Sequence, residues 1–226
     1  MASLASLRSL IASAPARQQG TTRLGAGLDL PLGRLHEVQT FEGEAVIGFT
    51  AALLHQILGA QGKALWCGKT AKLYAPGLAA FGLDPDRLIY TRTANDDETL
   101  WAVEEALRCP DLGAVVGEVT VLDMIAGRRL QLAAERHGVT AIILRRWQGR
   151  ALQPDPSAAT TRWHASALPN LNDELQHARW RVERLRCRGE MRKEFLVDWC
   201  HATGDFAVAA QPGYGPGAAM QSDAAD

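Results

Sequence analysis

Little in this chain is concentrated in one place, whether charge, cysteine or apolar residues. Lysine and arginine number 24 against 25 aspartates and glutamates, a net charge of −1. No overall field therefore draws nucleic acid or an acidic membrane, and any such contact needs a local patch. The four cysteines, Cys67, Cys109, Cys187 and Cys200, lie far apart without a C-x-x-C pair, which argues against zinc clusters and dithiol motifs and fits a reducing compartment. His36, His55, His137, His164, His177 and His201 form no i,i+4 pair and no H-E-x-x-H, so no metal is expected. A G-x-S-x-G elbow and a local Ser-His-Asp or Cys-His arrangement are also missing. No stretch approaches the roughly 18 uninterrupted apolar residues of a membrane span. Residues 2–15 end in a small-residue run like a cleavage site, but no basic residue precedes their apolar part and Arg8 interrupts it. The expected location is the cytoplasm.

What is present reads as one main domain with small additions: 226 residues, 47% hydrophobic and 22% charged. Leu4, Leu7, Leu10 and Ile11 recur at helical spacing over residues 2–13, ahead of a polar connector at 16–27. Apolar strands at 35–38, 64–67, 88–90, 113–117 and 140–144 then alternate with helices, predicted at 70–81, 96–108 and 123–137. That alternation indicates an α/β fold with a mostly parallel sheet flanked by helices. Residues 149–160, with Pro154 and Pro156, form a loop, strands at 163–167, 179–188 and 194–200 follow, and the chain is expected to close in a C-terminal antiparallel extension. The last two form a hairpin around 189–191. Phe195, Val197 and Trp199 share a face, whereas Trp180 and Val182 are out of phase with Leu185 and Cys187, so a bulge is expected near Glu183. The domain layout is therefore 1–27 as helix and connector, 28–210 as core with its hairpin, and 211–226 as a tail too poor in apolar residues to order.

Residues 30–49, LPLGRLHEVQTFEGEAVIGF, have the layout of a nucleotide-binding P-loop without its chemistry. The strand runs into Thr40, Phe41, Glu42, Gly43, Glu44, Ala45, Val46 and Ile47, where a P-loop reads G-x-x-x-x-G-K-[ST]. Val46 stands where a lysine would reach the β- and γ-phosphates, and Ile47 where a hydroxyl would hold magnesium. Glu42 and Glu44 suit the helix dipole but repel a polyphosphate. Val46 and Ile47 thus read as core residues, ahead of a site that binds nucleotide weakly without hydrolysing it.

Arg179, Arg181, Arg184, Arg186, Arg188, Arg192 and Lys193, interleaved with Trp180 and Phe195, have the composition of a nucleic-acid patch. Charge alternating with apolar residues is also the pattern of an antiparallel sheet with one solvated face, and Glu183, Glu190 and Glu194 dilute the charge. The solvated face ranks first, partner binding through residues such as Arg181 and Arg186 second, and DNA third.

Over about 24–167 the order of these segments resembles the ATPase core of RecA. The LDLPLGRLHEV run at 28–38, the lost P-loop lysine, RRLQLAAERHGVTAIILRR at 128–146 and the RWRVERLRCRG…EFLVDWCHATG block at 179–204 resemble more specifically the ImuA family, the shortened RecA-like proteins of bacterial mutagenesis operons. The resemblance implies a RecA-like fold. It also implies a non-catalytic accessory role in SOS-induced translesion synthesis, without cofactor, through ImuB, an inactive relative of Y-family polymerases, and an error-prone C-family polymerase. A link to RecA and self-association follow on the same grounds, with Leu4, Leu7, Leu10 and Ile11 as the docking stripe. Whether DNA is touched directly stays open. On the RecA pattern the residue that polarises water falls on or near Lys69, the Walker B aspartate on Gly117 or, shifted by one, on Glu118, and a base-stacking position near Tyr74. The alternatives are a weak nucleotide-dependent switch or ATPase that uses Glu118 and Lys69, and a SulA-like inhibitor of cell division.

Overall fold

Nine strands pair into a single sheet, and a separate short ribbon pairs β1 (Thr21–Arg23) with β2 (Asp29–Pro31). The structure, a computed structural model, describes residues 20–24, 28–40, 43–69, 73–146, 156–168, 178–187 and 192–208. Strands β3 (Leu35–Thr40), β4 (Lys63–Gly68), β5 (Leu88–Arg92), β6 (Leu112–Val119), β7 (Thr140–Arg146) and β8 (Thr161–Leu168) run parallel. Beyond β8, strands β9 (Ala178–Cys187), β10 (Lys193–Cys200) and β11 (Asp205–Val208) continue antiparallel, which gives the order β11-β10-β9-β8-β3-β7-β6-β4-β5. The mostly parallel sheet flanked by helices, with a C-terminal antiparallel extension, is the architecture expected from the sequence. The expected N-terminal helix and the tail from 211 lie outside the described residues. Strand β1 falls inside the segment read as a connector, and β11 has no counterpart in the sequence reading.

Alternation along the strands divides the interior into two layers. Val38, Trp66, Val116, Ile142 and Leu144 face α1 (Gly43–Leu58), whereas Leu35, Cys67, Val115 and Ile143 face α3 (Asp96–Leu107) and α4 (Met124–His137). Each outer helix begins on a side-chain cap. Asn95 accepts from the Glu98 N–H at 2.9 Å, the Glu98 carboxylate accepts from Ala94, and Asp123 accepts from Ala126 at 2.7 Å. Helix α4 ends at Gly138, whose φ of 71° is a left-handed conformation that favours glycine. Helix α2 is shorter than the predicted 70–81, spanning Ala75–Ala80, because Pro76 is tolerated in a first turn but not deeper.

The extension curls over α1. Phe49 meets Trp180 and Phe206 edge to face at 5.7 and 5.9 Å, and Phe81 and His55 extend the same aromatic group to Trp199. From Val46 to Leu58 no side chain of α1 is exposed. Phe195, Val197 and Trp199 are buried on one face of β10 as expected, and Trp180 and Val182 join them from β9. The bulge lies slightly later than expected. Arg162 pairs with Arg186 and Trp163 with Arg184, which leaves Leu185 as the extra residue of β9.

A buried relay fixes the amino ends of β3 and β8. The Pro31 carbonyl can only accept, so His36 Nε2 donates to it at 2.8 Å, leaving Nδ1 to accept from the Thr161 hydroxyl at 2.7 Å. The Trp163 indole donates to that hydroxyl at 2.6 Å. Burial, with the nearby Arg34 charge, lowers the His36 pKa from 6.5 to about 4, against the opposing effect of the Pro31 hydrogen bond.

Candidate functional site

The carboxyl ends of parallel strands are where a doubly covered α/β sheet offers its binding crevice. At that end of β3 only residues 41 and 42 separate Thr40 from the start of α1 at Gly43. The helix therefore begins three residues before Val46, over positions that a P-loop keeps as an open cradle of backbone N–H groups. Val46 is fully buried against the first core layer, and Ile47 packs partly buried beside it. Thr40 is buried. Phe41 and Glu42 lie outside the described residues, as do the side chains of Glu44 and Ala45.

The two residues that could replace the missing chemistry have other partners. Lys69, after β4, forms an ion pair with Asp96 at 2.6 Å. Glu118 lies on the α1 face of β6, two residues beyond Val116, and accepts from the Trp66 indole at 2.7 Å. A side chain at Gly117 would point the other way, into Val103 and Ile143. Between the two Walker B candidates, alternation thus puts Glu118 on the side of the P-loop position. Asp96 also accepts from the backbone N–H groups of Thr120 and Val121, at 2.8 and 3.2 Å. Although desolvation opposes it, the hydrogen bond from Lys69 and those two N–H donors hold the Asp96 carboxyl below the usual range. Tyr74 precedes α2 and is 72% exposed.

A buried polar clasp one residue along from His36 and Thr161 escaped the sequence reading. Glu37 is fully buried on β3 and takes the Arg162 guanidinium at 3.1 Å, that of Arg145 at 3.6 Å, and the Ser157 hydroxyl. It joins β3, β7 and β8. The available signal was a carboxylate inside the apolar strand LHEV. Arg145 and Arg162 gave no such signal, because strand-end arginines are normally solvated.

Three cations of the basic run are paired with acids on the neighbouring strand. Arg179 forks onto Asp198 at 2.5 and 2.7 Å, Arg181 meets Glu194 at 3.0 Å, and Arg192 meets Glu183 at 2.5 Å. Arg184 turns inward, only 6% exposed, with its guanidinium 5.9 Å from the Trp163 ring and 5.7 Å from Phe195. These pairings support the solvated face over a nucleic-acid patch. The Arg186 side chain lies outside the described residues, as do Leu4, Leu7, Leu10 and Ile11. Among the described residues no cluster of three metal-binding side chains occurs, and Cys67, Cys109 and Cys200 are free. Burial pushes the Cys67 thiol up to about 12. No described helix is long and apolar enough to cross a membrane.

A mostly parallel sheet flanked by helices, a C-terminal antiparallel extension and α1 sealed into the core define an α/β protein. Over 179 residues the chain is 37% identical to Protein ImuA of Caulobacter vibrioides strain NA1000 / CB15N, covering 72% of this chain and 73% of that one. The same figures hold for Protein ImuA of strain CB 15. The chain belongs to the ImuA family. No protein-family model matches it.

Proposed function

We propose that this chain is a non-catalytic, RecA-like accessory protein of SOS-induced, error-prone translesion DNA synthesis. It works in the cytoplasm by protein–protein contact with an ImuB-like relative of Y-family polymerases, and with RecA. The observation that carries the non-catalytic reading is the complete burial of Val46 where a phosphate-binding lysine would stand. The likeness to Protein ImuA supports the mutagenesis setting. Residues 1–27 supply a docking helix with Leu4, Leu7, Leu10 and Ile11 on its apolar stripe, 28–210 form the platform, and 211–226 form a tail. Arg181, exposed on β9, and Arg186 contribute to partner contact.

Steady-state assays with magnesium and ATP, with and without single-stranded DNA, are expected to show no hydrolysis above background. Turnover abolished by Glu118→Ala would overturn the reading. Val46→Lys is expected to create no activity and to destabilise the fold by roughly 2 kcal/mol or more, because it pushes an ammonium group into an apolar layer. A urea titration measures that cost. Arg181→Ala with Arg186→Ala is expected to leave unfolding nearly unchanged and to weaken binding of the ImuB-like protein.

A further inference from the structure

The two helical layers end differently at the surface. Helix α1 is enclosed, whereas α4 presents Met124, Ile125 and Leu132 to solvent, 43%, 76% and 55% exposed, with Val121 just before it at 61%. Met124, Arg128, Gln131, Leu132 and Glu135 of α4 line an open groove of about 390 Å³ together with Ser157 and Ala158. Exposed apolar residues scattered singly need no explanation, but four within twelve residues beside a groove form a patch.

The charges along α4 indicate what fits there. Arg128, Leu132 and Arg136 follow one another at four-residue spacing, so a guanidinium stands one turn on either side of the exposed leucine. Arg128 and Arg136 are exposed and form no ion pair among the described residues. Their neighbours are neutralised within the fold, Arg129 by Glu104 and Glu135 by Arg34. The surface is therefore an apolar stripe flanked by two uncompensated cations.

We infer that the α4 face, with its groove, is a docking site for an amphipathic helix of a partner protein that places carboxylates one turn either side of an apolar side chain. The apolar side chain enters the groove between Leu132 and Ser157, and the carboxylates pair with Arg128 and Arg136. Such a helix-in-groove contact draws affinity from the apolar anchors and register from the charges. The inference rests on the proposed role as a partner-binding platform and assigns the surface through which that role is exercised.

The experiment uses the full chain and two probes, the ImuB-like protein and a synthetic helix carrying glutamates four residues either side of a leucine. Calorimetry is expected to show saturable binding of both. Ile125→Glu with Leu132→Glu should weaken both by about tenfold or more. Arg128→Glu with Arg136→Glu should do the same and flatten the salt dependence, and all four positions are exposed, so thermal unfolding should stay unchanged. Both variants binding the ImuB-like protein like the wild type would overturn the α4 site while leaving the proposed function standing. Wild-type chain that binds the synthetic helix but not the ImuB-like protein would instead reject that partner and keep the surface. Two other outcomes would overturn the inference: loss of self-association in Ile125→Glu with partner binding intact, which marks a contact between copies, or α4-dependent binding to phosphatidylglycerol vesicles.

Discussion

Val197→Asp is expected to abolish soluble expression, or to destabilise the chain by on the order of 3–5 kcal/mol where it survives. Val197 is fully buried on β10, between Trp180 of β9 and Val208 of β11 in the register of the sheet. The substitution removes apolar burial worth about 1.5–3 kcal/mol and places a carboxylate among aromatic rings. A domain of this kind has only about 5–15 kcal/mol of stability in total. Glu194→Gln, three residues earlier on the same strand, is the control. Its ion pair with Arg181 is about half exposed on both sides, so its loss should cost under about 1 kcal/mol. Urea midpoints for the two variants check the contrast, and equal midpoints would mean that the buried face of β10 is misassigned.

That face was legible because β-strand periodicity is local: Phe195, Val197 and Trp199 alternate with Glu194, Leu196 and Asp198, and no distant information is needed. The parallel strands β3, β4, β6 and β7 were legible as apolar runs for the same reason. Strand β11 was not, since Asp205–Val208 acquires its identity from pairing with β10 and from Phe206 meeting Trp199 at 5.1 Å, both of them tertiary facts. The candidate site divides in the same way. The absence of lysine at Val46 could be read directly, whereas the pairing of Lys69 with Asp96 depends on α3 starting beside the end of β4. The Glu37 clasp depends on β8 lying next to β3, a neighbour that follows in sequence only after β7.

Lowering the pH from 7.5 to 4 is expected to cost the fold about 3 kcal/mol through His36 alone. The folded chain keeps this imidazole neutral down to about 4, whereas the unfolded chain protonates it near 6.5. Between those values the unfolded state binds more protons, so stability rises with pH through the interval, at about 1.4 kcal/mol per pH unit. The contribution is complete above about 6.5 and gone below about 4. Carboxylates held low in the fold, such as Asp96 and Glu183, lose their contribution at more acidic pH, below their unfolded values near 4, so the two effects separate. Urea unfolding at pH 7.5, 6 and 5 measures the slope. His36→Gln keeps a donor for Pro31 and an acceptor for Thr161, and its slope over that range should be close to zero. An unchanged slope in the variant would assign the acid sensitivity to another group.

The aromatic cover of α1 sets the order in which the molecule can be completed. Val46 and Phe49 leave the ribosome early, but the rings that enclose that helix, Trp180, Trp199 and Phe206, belong to the last quarter of the chain. During synthesis α1 therefore waits with its apolar surface uncovered while the parallel strands assemble. Contacts so distant in sequence also slow the final closure. A nascent chain stalled before β9 would present that unfinished surface to chaperones, and release of the last three strands would withdraw it.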